Sequence, residues 1–176
     1  MNAIAEIALS ADAIHAGLPM SLRTQLASIQ VAERTISTQA DALAAPPPLQ
    51  GCALFLAEHQ TGGQGTQGRA WISAPAEASL ALSIARRFPL ATPMLSGLSL
   101  VTGIAVAEAL GDERIGLKWP NDLLAGGRKL GGILVNLRAA PDSHCEAVVG
   151  IGLNLRLPAQ SAIRSEERRV GKECRL

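Results

Sequence analysis

The sequence predicts one domain that contains both α-helices and β-strands. Its 176 residues suffice for a single domain, and 48% of them are hydrophobic against 18% charged, a composition that excludes a disordered chain. Along the chain, apolar residues at helical spacing alternate with short apolar or period-two runs that are typical of strands. With two Phe, two Trp and no Tyr, the core must be built mainly from aliphatic side chains.

The first part of the chain is predicted to be helical. Apolar residues at helical spacing predict an amphipathic helix over 2–16. A second helical stretch is predicted to include Leu22, Leu26 and Ile29. Ser37 and Thr38 are the candidate caps of a short third helix that runs through Ala45, where a run of three prolines stops it.

Strands dominate the rest of the prediction. Residues 53–57 form an apolar run typical of a buried strand, a glycine-rich loop follows at 62–68, and residues 79–84 alternate with period two. Residues 93–110 are the longest helix candidate; because the surrounding uncharged run contains two prolines, a buried core helix is preferred over a membrane span. Three further strands are predicted, around 115–119, 130–137 and 147–157.

Charge and cysteine content exclude several classes of protein. The net charge of +1 argues against a strongly basic nucleic-acid binder, and the few aromatic residues argue against a base-stacking platform. The three cysteines form no CxxC pair, and the three histidines have no zinc-site spacing. Because the first ten residues contain no basic segment, no signal peptide is expected, and the location predicted is the cytoplasm.

The composition changes abruptly at Arg164. Eight of the final 13 residues are charged, which predicts that 164–176 is a non-native tail that takes part neither in the fold nor in the chemistry. A native, solvated charged tail is the alternative.

Four motifs carry candidate chemistry. Residues 63–68 match G-x-G-x-x-G, but the Pro-closed stretch that follows does not favour a dinucleotide-binding helix; an anion cradle and a plain flexible loop both stay open. Lys118–Asp122 reads Lys-Trp-Pro-Asn-Asp, where an Asx-turn is the alternative. Lys129 precedes two glycines and is either a site cation or an exposed strand-start lysine. Asn154 ends Gly-Ile-Gly-Leu-Asn, either facing a ligand or satisfied within a bulge.

In this order, the four motifs resemble the catalytic domain of biotin protein ligases, over about Ile29 to Pro158. The resemblance implies an α+β fold, a mixed sheet with flanking helices like that of class II aminoacyl-tRNA synthetases. It implies an enzyme that activates biotin with Mg²⁺ and ATP to biotinyl-5′-adenylate. The biotinyl group then passes to a lysine of the biotin carboxyl-carrier domain of acetyl-CoA carboxylase. The alternatives are a lipoate ligase of the same superfamily and a non-catalytic biotin-binding fragment.

The resemblance also assigns residues to roles. Lys129 and Asp122 are implied to be catalytic, and Arg69, Trp71, Asn121 and Asn154 to bind the nucleotide. The residues implied to bind biotin are Ser37, Thr38, Gln39, Gln60, Gln64, Gly65, Thr66, Lys129, Gly150 and Gly152. The family's loop carries arginines where this chain has Gln64, Thr66 and Gln67, so a weaker grip on the adenylate is expected.

The resemblance divides the chain into three parts. Residues 1–30 are expected to be a connecting helical segment, 31–163 a catalytic domain that is incomplete at its C-terminal end, and 164–176 the charged tail. Such truncation would lower the activity. The partners expected are the carrier domain and, as a possibility, a second copy of the chain, with no DNA and no membrane.

Overall fold

The computed structural model describes residues 9–71 and 79–155. Their main feature is a seven-stranded mixed sheet in the order β1-β2-β3-β7-β6-β5-β4, in which β1 and β2 are parallel and the other neighbours antiparallel. The strands are β1 Leu26–Thr35, β2 Cys52–Gln60, β3 Ser79–Phe88, β4 Ile115–Lys118, β5 Asp122–Ala125, β6 Arg128–Ala140 and β7 His144–Asn154. The helices are α1 Ala11–Gly17, α2 Met20–Arg23, α3 Thr38–Ala44 and α4 Leu98–Leu110, with 3₁₀ turns at Thr66–Gly68 and Thr92–Leu95.

The two faces of the sheet carry different cores. Because successive side chains of a strand point to opposite faces, Val148 and Val149 of β7 belong to different clusters. The cluster of Val148 packs against α3 and contains Ala42, Ala53, Phe55 and Ala85. The cluster of Val149 packs against α4 and contains Leu123, Ile133, Ile151 and Leu153. The α3 face is therefore built from smaller residues than the α4 face, which leaves room for a cavity there.

Helix α3 confirms the predicted cap. The hydroxyl of Ser37 accepts a hydrogen bond from the backbone N–H of Ala40 at 3.4 Å, and the helix ends at Ala44, just before the prolines. Its buried residues are Thr38, Gln39 and Ala42. The first turn of α3 thus presses two polar side chains against the sheet.

The predicted second helical stretch is wrong for Leu26 and Ile29. Helix α2 ends at Arg23, and both residues lie in β1, which pairs in parallel with β2. Pairing with a distant strand outweighs the local helical spacing. Strand β5, Asp122–Ala125, is not among the predicted strands. The start of the predicted helix over 2–16 and the boundary at 163–164 lie outside the described residues; α1 begins at Ala11, capped by Ser10.

Helix α4 corrects the prediction of a buried core helix. It begins at Leu98 because Pro93 lies in a 3₁₀ turn, and Gly103 is its one buried residue, whereas Val101 is 62% and Ile104 50% exposed. The helix is covered by the sheet on one side only. The stretch Thr92–Leu110 has the length and the mean hydropathy, 1.5, of a membrane-crossing helix.

Candidate functional site

A cavity of about 630 Å³ opens on the α3 face of the sheet. Every residue that the sequence assigned to the site lines it: Ser37, Thr38, Gln39, Gln60, Gln64, Gly65, Thr66, Arg69, Trp71, Asn121, Asp122, Lys129, Gly150, Gly152 and Asn154. These residues come from α3, β2, β5, β6, β7 and the glycine-rich loop. The sheet therefore brings together motifs that lie far apart in the chain. Their roles remain predictions.

One end of the cavity, which we call the pocket floor, consists of Thr38, Gln39, Gln60 and Ser83. The Oε1 atom of Gln60 accepts hydrogen bonds from the Thr38 backbone N–H at 2.8 Å and from its hydroxyl at 3.2 Å. The hydroxyls of Thr38 and Ser83 are 2.9 Å apart, and the Ser83 hydroxyl donates to Oε1 of Gln39 at 3.1 Å. The floor is thus a continuous network of neutral hydrogen-bonding groups.

The Gln39 amide is held on both sides. Its Nε2 atom donates to Oδ1 of Asn136 at 2.9 Å and to the Val148 carbonyl at 3.1 Å. A Cβ atom at position 150 would overlap Gln39 Oε1, so glycine there lets the amide lie against β7. The sequence assigned Gly150 to the site, and this close approach is its physical reason.

The opposite side of the cavity, which we call the charged wall, contains Lys118, Asp122 and Lys129. Lys129 Nζ donates to Asp122 Oδ1 at 2.6 Å, and the two side chains are 38% and 23% exposed. Among the described lining residues, Arg69, Lys118 and Lys129 are cationic, and Asp122 is the single carboxylate. The wall therefore favours an anionic ligand, and Lys129 has the location of a site cation rather than of an isolated surface lysine.

The Lys-Trp-Pro-Asn-Asp motif is tied to β6 by Asn121. The side-chain nitrogen of Asn121 donates to the Ile133 carbonyl at 2.9 Å, and the backbone carbonyl of Asn121 accepts from the Ile133 N–H at 2.9 Å. These two hydrogen bonds fix the turn between Lys118 and Asp122. The nitrogen of Asn121 is thus committed to the fold.

Trp71 and Asn154 leave polar atoms without protein partners. Trp71 Nε1 and Asn154 Oδ1 are buried and make no hydrogen bond within the described part of the chain. The indole lies over Gly152, where a Cβ atom would be 2.7 Å from Cζ2. A buried unpaired donor and a buried unpaired acceptor are each costly unless a ligand supplies the missing partner.

The glycine-rich loop closes on itself as a short hairpin. The Gly65 N–H donates to the Arg69 carbonyl at 2.7 Å, and the Trp71 N–H donates to the Gly63 carbonyl at 2.8 Å. Gln67 adopts φ 59°, in the left-handed region. The loop therefore forms an ordered turn at the cavity rim, and its role as an anion cradle stays a prediction.

Sequence reasoning missed Ser83, Asn136 and the lining role of Lys118. Ser83 alternates with Ala81 and Ala85 in the period-two run of β3, so a polar residue on the small-residue face was a readable signal. Lys118 stood in a quoted motif but received no role. Asn136 gave no signal, because it is exposed and its contact to Gln39 joins distant segments.

Comparisons with known proteins agree with the predicted family and fold. The model of the Biotin/lipoate A/B protein ligase family matches residues 31–154. The bifunctional ligase/repressor BirA of Escherichia coli is 42% identical over 105 residues, which are 58% of this chain and 32% of that protein. The biotin–[acetyl-CoA-carboxylase] ligase of Mycobacterium tuberculosis is 40% identical over 152 residues, 77% of this chain and 54% of that one.

A solved structure confirms the predicted α+β class. The crystal structure of biotin acetyl coenzyme A carboxylase synthetase from Helicobacter pylori, with bound biotinylated ATP, matches with a TM-score of 0.58 and 29% identity, covering 77% of this chain and 64% of that one. The chain thus spans from about a third to about half of the length of the two curated relatives.

Proposed function

Because the chain belongs to the biotin/lipoate A/B protein ligase family, we propose that it carries the biotin-activating site of a biotin protein ligase. The reaction is the ATP-dependent formation of biotinyl-5′-adenylate, followed by transfer of biotin to a lysine of a biotin carboxyl-carrier domain of acetyl-CoA carboxylase. The names of the relatives from Mycobacterium tuberculosis and Helicobacter pylori support this substrate and this partner. The cytoplasm is the proposed location, in keeping with the free thiols of Cys52 and Cys145.

The observation that carries the proposal is the pairing of a neutral floor with a cationic wall in one cavity. Biotin has a neutral cyclic urea at one end and a carboxylate at the other, and ATP is a polyanion. The floor of Thr38, Gln39 and Gln60 offers hydrogen bonds without charge, whereas Lys129 lies on the wall. The cavity therefore suits a ligand that is polar and neutral at one end and anionic at the other.

In the first step, a biotin carboxylate oxygen attacks the α-phosphorus of ATP. The bond to the pyrophosphate leaving group breaks, and a mixed anhydride with AMP remains. Negative charge accumulates at the α-phosphate, and Lys129 is the cation proposed to stabilise it. Asp122 holds Lys129 by the 2.6 Å ion pair, so the ammonium is oriented before the nucleotide arrives.

The nucleotide is proposed to supply hydrogen-bond partners for the unpaired atoms of Trp71 and Asn154. A base with one acceptor and one amine donor would satisfy Nε1 of Trp71 and Oδ1 of Asn154 together. Gln64, Gly65 and Thr66 would cover the anhydride and exclude water, while Arg69 lies at the end of the same loop.

Mg²⁺ fits this donor set only as an ion brought in with the nucleotide. No cluster of three or more His, Cys, Asp or Glu side chains exists among the described residues. Asp122 would supply one carboxylate, and Mg²⁺ in nucleotide sites is often held by one or two carboxylates together with phosphates. When bound, the ion would neutralise part of the phosphate charge.

In the second step, the neutral amine of the carrier lysine attacks the biotinyl carbonyl, AMP leaves, and an amide forms. The anhydride is already reactive, so the chain needs no covalent nucleophile. The role of the cavity in this step is to position the carbonyl for the incoming amine.

Biotin-dependent exchange of labelled pyrophosphate into ATP tests the first step directly. The chain is expected to support exchange with biotin and not with lipoate. Biotin binding without exchange would indicate a non-catalytic biotin-binding module, and exchange with lipoate alone would indicate a lipoate ligase. The Ser28→Ala variant, at an exposed position of β1, is the matched control for handling and folding.

A further inference from the structure

We infer that Ser83 and Asn136 are positioning residues that fix the Gln39 amide in one orientation, so that the pocket floor selects a ligand carrying N–H donors. The inference rests on the proposed biotin site. It assigns biotin-over-lipoate selectivity to two residues, of which Ser83 lines the cavity and Asn136 acts through Gln39.

Ser83 is the link between the two parts of the floor. It is 0% exposed and lies on the small-residue face of β3, opposite Gly150 of β7. Its hydroxyl proton goes to Gln39 Oε1, so it acts as an acceptor towards the Thr38 hydroxyl 2.9 Å away, and the single Thr38 proton is shared between Ser83 and Gln60 Oε1. One buried hydroxyl thereby sets the direction of the whole chain of hydrogen bonds.

Asn136 and the Val148 carbonyl hold the other side of the amide. Both hydrogens of Gln39 Nε2 are used, one by each acceptor. Rotation of the amide by half a turn would place Oε1 against the Val148 carbonyl and an N–H against the Ser83 hydroxyl, losing both donated bonds. The amide therefore has one orientation, with its oxygen towards Ser83 and Gly150.

This orientation decides what the floor offers to a ligand. Gln39 has no donor left, because both Nε2 hydrogens are used, while Oε1 accepts one hydrogen bond, from Ser83, and keeps its second lone pair. The Thr38 hydroxyl shares its single proton between Ser83 and Gln60, so it has none for a ligand and remains an acceptor as well. A cyclic urea presents N–H groups to such acceptors, whereas a dithiolane ring presents none.

The test measures the dissociation constants of biotin and lipoate for Ser83→Ala and Asn136→Leu, by calorimetry, with ATP affinity and thermal unfolding in parallel. We expect biotin affinity to fall about tenfold in each variant, as for loss of one hydrogen bond that holds the Gln39 amide. ATP affinity should stay within about twofold, and lipoate affinity should be unchanged.

Asn136→Asp is the matched control, since its carboxylate still accepts from Gln39 Nε2, and it should bind biotin like the unmodified chain. If the unmodified chain binds biotin and both Ser83→Ala and Asn136→Leu bind it equally well, the positioning role is refuted while the proposed function stands. If biotin and ATP affinity fall together with the melting temperature, the two residues act on the fold alone and the inference is refuted. If the unmodified chain binds no biotin, the proposed function fails, and this inference fails with it.

Discussion

Polar groups are arranged differently in two parts of the cavity, the pocket floor and the part around Trp71 and Asn154. We call the second part the proposed nucleotide end. On the floor, Thr38, Gln39 and Ser83 bond to one another and to neighbouring strands. Around Trp71 and Asn154, the buried Nε1 and Oδ1 atoms make no hydrogen bond to any residue that the structure describes. The difference indicates that the floor has its shape before any ligand binds, whereas the other end is completed by the ligand itself. Selectivity is then expected from the floor, and coupling of nucleotide binding to stability from the other end.

The largest effect is expected from the charged wall between the two ends. Lys129→Ala should raise the barrier to adenylate formation by about 2–4 kcal/mol, because one fixed cation is lost beside the developing charge. Pyrophosphate exchange at saturating ATP and biotin measures this change. Arg114→Ala removes a cation that pairs with Asp112 and does not line the cavity, so its exchange rate should match that of the unmodified chain. An unchanged rate in Lys129→Ala would assign Lys129 to the strand surface alone.

Gly150→Ala breaks the floor while leaving the nucleotide end intact. The new Cβ overlaps the end of a flexible side chain, so the Gln39 amide should move while β7 stays in place. Biotin binding should weaken by about 2 kcal/mol because the displaced amide loses its partners. Calorimetry with biotin measures the effect. Gly116→Ala is the control, since a Cβ there meets nothing within 4 Å; equal biotin affinity in the two variants would contradict a rigid floor.

Thr66→Arg sharpens the comparison by adding a cation at the loop that covers the cavity. One charge-assisted hydrogen bond to the adenylate phosphate should slow release of the intermediate roughly tenfold. Labelling of bystander proteins in a mixture should fall accordingly, while labelling of the carrier continues. Gln30→Arg, on exposed β1, adds the same charge elsewhere. If both variants suppress stray labelling equally, the effect is one of net charge and not of the loop.

Asn154→Leu separates stability from binding at the nucleotide end. Removing an unpaired buried acceptor should raise the free energy of unfolding of the free protein by about 1 kcal/mol. The same change should weaken ATP binding, since the proposed acceptor for the base of ATP is gone. Denaturant unfolding and ATP titration measure the two effects. Parallel losses of stability and of ATP affinity would show that Asn154 is satisfied in the free protein.

The smallest effect is expected at Asp112, outside the cavity. Hydrogen bonds from Arg114 lower the pKa of this carboxyl to about 2. Because the folded pKa lies below the ordinary value of about 4, its stabilising contribution is present above pH 4 and is lost as the pH falls towards 2. Asp112→Asn should therefore unfold slightly more easily than the unmodified chain at pH 7, and the difference should shrink as the pH falls through 2. A difference that is the same at pH 7 and at pH 2 would point to another cause.

The sequence predicted the members of the site better than the elements that carry them. Lys129 and Asn154 were found through ordered motifs, and both line the cavity. Leu26 and Ile29 were placed in a helix, because local spacing carries no record of the parallel pairing with β2. Asn136 was missed for a similar reason, as its partner Gln39 is distant in sequence. Contacts between remote segments are what single-sequence patterns leave out.

The central ladder of the sheet has a consequence for how the molecule folds. Strand β3 pairs with β7 along its whole length, from Ser79 with Asn154 to Phe88 with Cys145, although α4 and three strands intervene in the chain. Such non-local pairing costs the entropy of closing a long loop before the stabilising contacts form. Folds of this topology are therefore among the slower to form. Ser83 and Gly150 face each other in this ladder, so the floor comes into being only when the slowest contact has formed. The proposed biotin site is thus expected to form only once the sheet is complete.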